Sequence, residues 1–287
     1  MSISPDTYSR MKGCFFGLAI GDAMGAPVEF KSPGEFSPVT GYRSGGAHDV
    51  EAGEWTDDMA MALAIADTYI QKNGELDLNH VLENFLLWHD EGKFSSRGDC
   101  FDIGTTCAKA LKYYRTYKKV IAPTNGEFES GNGSLMRMAP VVVMHHHDLG
   151  ELTKKCLASS RTTHTSAIVD RYVEHFARIM HAIVEGKTKN DVLAGISVNE
   201  NAKPTGFVVD SLDVAIIAFR DTHSFKDGLL HVVNQGEDAD TVGAIYGHIA
   251  GAYYGHEAIP HHWKKDLWQA SIIEEIFENL WKIRKLR

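Results

Sequence analysis

Cysteine is scarce in this chain of 287 residues: Cys14, Cys100, Cys107 and Cys156 are the full set, and no two form a C-x-x-C pair. That excludes the usual zinc-ribbon and dithiol redox spacings, so four reduced thiols are expected. No run of about 18 apolar residues is present, so no membrane-spanning helix is expected. The amino-terminal Met-Ser-Ile-Ser-Pro-Asp has no basic segment leading into an apolar one, which argues against a secretory signal and for a cytoplasmic protein. Positive charge is also in short supply, with 29 Lys and Arg against 38 Asp and Glu and a net charge of −9. A surface built to grip a nucleic-acid backbone is therefore not expected. Disorder is excluded from the other side, because 44% hydrophobic residues against 23% charged can fill a sizeable core.

Period-two alternation is nearly absent, whereas helical periodicity is abundant. Met11, Cys14, Phe15, Leu18 and Ala19 mark one apolar helix face, and Leu78, Val81, Leu82, Phe85 and Leu86 another. Residues 59–70 are apolar nearly all round, as befits a central helix, and further helices are expected over about 103–115, 166–186, 207–220 and 266–284. Loops are expected near 31–50, 121–134 and 199–206, where Gly, Ser, Pro and Asn gather. None resembles a linker and no 20–50-residue repeat is visible, so the expectation is an all-α, single-domain monomer over 1–287.

Glycine is placed unusually. Gly13, Gly17, Gly21 and Gly25 are four apart, and so are Gly243, Gly247, Gly251 and Gly255. Each interior glycine costs a helix roughly 1 kcal/mol relative to alanine, so two such ridges imply close backbone approach, with these two helices packed on one another inside the core.

Two helix starts carry the same chemistry. Thr56-Asp57-Asp58 precedes the apolar run from Met59, and Asp238-Ala239-Asp240-Thr241 precedes the second glycine ridge. Each alone could be an N-cap with an acidic first turn. Together they would bring four carboxylates and two hydroxyls to one place, a ligand set for hard divalent cations, with two Mg²⁺ the simplest occupants and Mn²⁺ an alternative. An EF-hand is excluded, because Val242 and Ile249 stand where its loop needs ligands. A third motif, Gly131-Asn132-Gly133-Ser134-Leu135-Met136-Arg137, is either a plain turn or a phosphate cradle. The triplet His145-His146-His147 is expected at the surface. His256-Glu257 with His261 is not a zinc-protease motif, since Pro260 interrupts the helix it requires.

In order along the chain, Gly17-Leu18-Ala19-Ile20-Gly21-Asp22-Ala23-Met24-Gly25, Trp55-Thr56-Asp57-Asp58, Gly131 to Arg137, Thr163-His164 and Asp238-Ala239-Asp240-Thr241 resemble the motifs of the ADP-ribosylglycohydrolase family. The resemblance covers about residues 8–256. It implies a compact helical fold with a binuclear magnesium site held by Thr56, Asp57, Asp58, Asp238, Asp240 and Thr241. It also implies catalytic roles for Asp102 and Asp240, with Asp102 beside the scissile bond, and for Glu29, on a segment near the metals. The residue-level alternatives are a helix-capping Asp and a solvated loop Glu. By the same resemblance Gly131, Asn132, Gly133 and Ser134 contact a diphosphate, and His164 and Phe207 flank an adenosine; Phe207 could equally be core. Met59 stands where many members have Thr. The implied activity is hydrolysis of an N- or O-glycosidic bond of ADP-ribose on a protein side chain or small molecule. Arginine is favoured because Asp102 could pair with a guanidinium and the motif set is closest to the nitrogenase-regulating members. Binding of ADP-ribose without turnover, and two-metal hydrolysis of phosphate esters, are the competing readings.

Overall fold

The computed structural model describes residues 6–123, 126 and 130–286; within the expected 121–134 loop, residues 124–125 and 127–129 lie outside this set, as do residues 1–5 and residue 287. Among the described residues there is no strand, and the paired backbone is confined to two isolated bridges, Gly45 with Val50 and Gly131 with Phe207. The described residues form thirteen α-helices in succession. They are α1 (Thr7–Gly25), α2 (Asp57–Gln71), α3 (Leu78–Glu91), α4 (Thr105–Tyr117), α5 (Ala139–His145), α6 (Leu149–Ser160) and α7 (Ala167–Val184). Then come α8 (Lys189–Val192), α9 (Val208–Asp221), α10 (Phe225–Val233), α11 (Ala239–Tyr254), α12 (His261–Lys265) and α13 (Ala270–Lys285). The expected all-α fold is the observed one. None of these helices is long and apolar enough to cross a membrane, and all four cysteines are free thiols.

At the centre α1 and α11 lie antiparallel, back to back along their glycines. A Cβ added to Gly17 would sit 2.1 Å from the Gly247 carbonyl oxygen, and one added to Gly247 would sit 1.9 Å from that of Gly17. The same pairing joins Gly13 to Gly251 and Gly21 to Gly243, so no side chain fits between the two backbones. The lost helix propensity is offset by contact along four turns and by the burial of both helices nearly all round. Helices α2, α5 and α13 pack on the α1 side of this pair, and α7, α9 and α10 on the α11 side.

The helix ends of α5 correct the expectation for the histidine triplet. His145 and His146 are buried, because the chain from Ala139 is helical and its last turn faces α2 and α13: His145 Nε2 lies 3.1 Å from the Tyr69 hydroxyl, and the His146 ring stacks on Trp281. His147 alone is exposed, as three adjacent residues on a helix end cannot share one direction.

Candidate functional site

The antiparallel central pair sets the site. It brings the carboxyl-terminal turn of α1, with Asp22, beside the amino-terminal turn of α11, with Asp238, Asp240 and Thr241. Asp22 is wholly buried and reaches across to α2: its Oδ1 accepts from the Thr56 amide at 2.8 Å and the Thr56 hydroxyl at 3.0 Å, and its Oδ2 from the Met59 amide at 3.0 Å. Asp22 is thus the cap of α2, supplied from another helix. The Met59 side chain takes no part; its backbone amide makes the bond.

That arrangement bears on the N-cap reading of the acidic helix starts. Thr56 occupies the N-cap position of α2 and Asp238 that of α11, yet neither side chain accepts a capping hydrogen bond from its own helix. Asp238 Oδ2 accepts instead from the Asn132 amide at 2.5 Å, while Asn132 also donates to Ser211 at 2.8 Å. The two helix starts meet, with the Thr241 hydroxyl donating to Asp58 Oδ1 at 3.3 Å. Asp58 Oδ2 and Glu29 Oε2 are buried with no hydrogen-bond partner among the described residues.

Above them opens a cavity of about 360 Å³ lined by Glu29, Asp57, Asp102, Asp238, Asp240 and Thr241 at one end and by Gly131, Gly133 and His164 at the other. Burial first, and mutual repulsion after it, raise Asp57, Asp58 and Asp240 well above the ordinary carboxylate value, and push Glu29 to about 10. Carboxyl groups this crowded and this dry are stable only when protonated or when cations neutralise them. One oxygen each from Glu29, Asp238 and Asp240 lies within 4.8 Å of the others, close enough to share an ion, and Glu29, Asp102 and His48 form a second such group. The donors are oxygens but for one imidazole, which fits a hard divalent cation and not a thiophilic one.

Glu29 is 4% exposed, so it is no solvated loop residue. Asp102 caps no helix, since Gly104 occupies the N-cap position of α4; it sits at φ 58° on the cavity wall. The following residue to Glu29, Phe30, is also left-handed at φ 59°, and two non-glycine residues in that region beside one cavity mark a strained rim. Of the expected substrate contacts, Gly131, Gly133 and His164 line the main cavity. Phe207 is half-buried and lines a contiguous pocket with Thr105, Thr106 and Gly206. Asn132 and Ser134 turn inward, the Ser134 hydroxyl accepting from Ser160 at 2.9 Å. His164 is buried and its imidazole is pushed down to about 3, by burial and then by the nearby Arg137, so its ring is uncharged at neutral pH.

Two site residues were not expected from sequence. Asp22 was visible as the lone acid in a glycine-ridged apolar helix. His48 lies in the glycine-rich loop before α2, with Nε2 2.9 Å from Asp102 Oδ1 and 3.3 Å from Glu29 Oε2, though without the alignment for a hydrogen bond to either. Its pKa is raised, chiefly by Asp102.

Comparison with known proteins covers nearly the whole chain. The family model described as ADP-ribosylglycohydrolase matches residues 3–287. The ADP-ribosylarginine hydrolase Tri1 of Serratia proteamaculans is 31% identical, with 96% of this chain and 80% of the relative covered. The ADP-ribosyl-[dinitrogen reductase] glycohydrolase of Rhodospirillum rubrum is 32% identical, with 92% of each covered. A solved structure described as an ADP-ribosylglycohydrolase-related protein complex superposes with a TM-score of 0.85 at 31% identity, covering 97% of this chain and 99% of that one.

Proposed function

The chain belongs to the ADP-ribosylglycohydrolase family and is a hydrolase of the glycosidic bond to ADP-ribose, and from that premise we propose a magnesium-dependent reaction directed at ADP-ribosylated arginine. The whole chain acts as one domain and as a monomer. Two Mg²⁺ ions, replaceable by Mn²⁺, are held by Thr56, Asp57, Asp58, Asp238, Asp240 and Thr241. The observation that carries this reading is the convergence of two acidic helix starts on one cavity, with side chains that decline to cap their own helices. Bound there, the ions supply Lewis acidity and fixed positive charge for the distal ribose hydroxyls and a water.

The chain's own residues do the rest. The Gly131–Gly133 turn faces the diphosphate, with the Gly133 amide unused among the described residues while that of Asn132 is spent on the Gly206 carbonyl. His164, uncharged, and Phe207 offer flat faces to the adenosine. Asp102, on the cavity wall beside the acidic cluster, pairs with the guanidinium of the acceptor arginine in the ground state. As the bond to the anomeric carbon breaks and oxocarbenium character develops, Asp102 or a neighbouring carboxylate takes the proton of the attacking water. Glu29, beside Asp238 and Asp240, adds negative charge facing the same centre. The arginine preference draws further support from the Tri1 relative, an ADP-ribosylarginine hydrolase.

The test is release of ADP-ribose from ADP-ribosyl-arginine, ADP-ribosyl-serine and a generic phosphate ester, with Mg²⁺ or with EDTA. Turnover of the arginine conjugate is expected with Mg²⁺ and none with EDTA. Asp240→Asn should lower hydrolysis and Mn²⁺ affinity together by at least about 100-fold. Full hydrolysis by a folded Asp240→Asn protein would reject the assigned site, and faster turnover of the serine conjugate would reject arginine.

A further inference from the structure

Arg137 is the anomaly of the interior. Its side chain is 0% exposed, yet among the described residues it forms no ion pair with a carboxylate. An unpaired guanidinium buried in protein is costly, and its retention requires compensation. Part comes from neutral groups. One terminal nitrogen donates to the Gly133 carbonyl at 3.1 Å, and the other to the Thr163 hydroxyl at 2.7 Å and the Thr162 hydroxyl at 3.2 Å, while the cation stands 4.9 Å from the centre of the Phe85 ring. Nε has no partner. Burial lowers its pKa, with Cys107 and Asp57 the nearby groups that favour the charge.

The partners of this side chain are parts of the cavity wall. Gly133 lines the cavity, and Thr163, 2.7 Å from His164 Nδ1, precedes the ring that lines it beside Gly133. All described peptide bonds are trans, so the N–H of Ser134 points opposite to the Gly133 carbonyl that Arg137 holds. Among the described residues neither the Gly133 nor the Ser134 amide donates a hydrogen bond. The wall therefore carries unused donors backed by a buried cation. The cavity itself holds the opposite charge: five carboxylates line it and no Lys or Arg does. A diphosphate entering such a space meets repulsion unless a cation lies beneath its binding turn.

We propose that Arg137 is a positioning residue for the anionic half of the substrate. It clamps the Gly133 carbonyl so that the Ser134 amide is presented to a diphosphate, and its uncompensated charge lowers the cost of bringing that dianion into an acidic cavity. This rests on the reading of the cavity as an ADP-ribose site.

The test measures ADP-ribose affinity by calorimetry in Mg²⁺, Mn²⁺ affinity by electron paramagnetic resonance, and thermal melting, on full-length wild type, Arg137→Lys and Arg137→Met. Arg137→Met is expected to weaken ADP-ribose by about 10- to 100-fold, the range for loss of a charge-assisted contact, with Mn²⁺ affinity within about twofold of wild type. Arg137→Lys keeps the charge but not the fork, and should fall between the two. Should Arg137→Met fail to fold, Arg137→Lys with wild-type ADP-ribose affinity overturns the proposal by itself. Parallel losses of Mn²⁺ and ADP-ribose affinity would also overturn it, by assigning Arg137 to the carboxylate cluster or to folding alone. Failure of wild type to bind ADP-ribose would overturn the cavity reading and this inference with it, whereas binding by wild type that is unchanged in Arg137→Met sinks only the inference.

Discussion

Two groups of helix starts in this protein carry similar residue types at the N-cap and use them differently. At α3, α6, α7 and α10 the residues Asp77, Asp148, Ser166 and Ser224 accept hydrogen bonds from the first turn of their own helices, in the ordinary way. At α2 and α11 the N-cap positions hold Thr56 and Asp238, residue types equally suited to capping, and neither caps. The first group satisfies backbone donors and ends there. In the second, the cap of α2 comes from Asp22 on another helix and Asp238 is turned toward Asn132, while Asp58 Oδ2 is buried with no hydrogen-bond partner among the described residues. Similar residue types thus cap their own helices at one set of starts and turn away from them at the other, and at α2 a neighbouring helix has taken over the capping.

Breaking the central helix pair should abolish this difference altogether. Gly247→Ala puts a Cβ within 1.9 Å of the Gly17 carbonyl oxygen, where only backbone could yield. Urea denaturation should show a loss of about 4 kcal/mol or more, or no folded protein, because the two backbones must separate. A loss below about 1 kcal/mol would mean that the helices are not in contact along their glycines.

A milder probe titrates the cavity. Burial raises Asp22 to about 7 and Asp238 to about 6 from an ordinary value of 3.8. A carboxyl with a raised folded value holds its proton more tightly in the folded state, so its contribution is fully present below its unfolded value. That contribution is lost as pH rises through the folded one. Metal-free protein should therefore melt at progressively lower temperature from about pH 4 to about pH 7, whereas Mg²⁺ should hold the melting temperature up across that window. Coincident melting curves with EDTA and with Mg²⁺ would contradict a cation site.

The smallest effect sharpens the contrast most. Asp148→Ala should lower stability in urea slightly and leave hydrolysis unchanged, as the loss of a surface cap does. Asp238→Ala should do the reverse, abolishing hydrolysis while metal-free stability stays level or rises with relief of repulsion. Equal behaviour of the two variants would erase the distinction between the helix starts.

Much of this was legible in the chain. Helical spacing located the helices from α1 to α4 and at α7, α9, α11 and α13, and the two four-residue glycine ridges foretold their own contact, because only backbone-to-backbone approach compensates so many interior glycines. Helices α5, α6, α8, α10 and α12 escaped, most of them too brief for a period to show, and with α5 escaped the burial of His145 and His146. The paired acidic motifs held Asp57, Asp238, Asp240 and Thr241, which the fold brings to one cavity. The sequence by itself determined which residues could bind a divalent cation and which helices could touch, since both follow from side-chain chemistry and local period. Only the tertiary structure decided that Asp22 relieves Thr56 of capping, that Asn132 and Ser134 turn inward, that His48 faces Asp102 and that Arg137 backs the Gly133 turn. Each of those depends on contacts between elements distant in the chain, and local spacing carries no record of them.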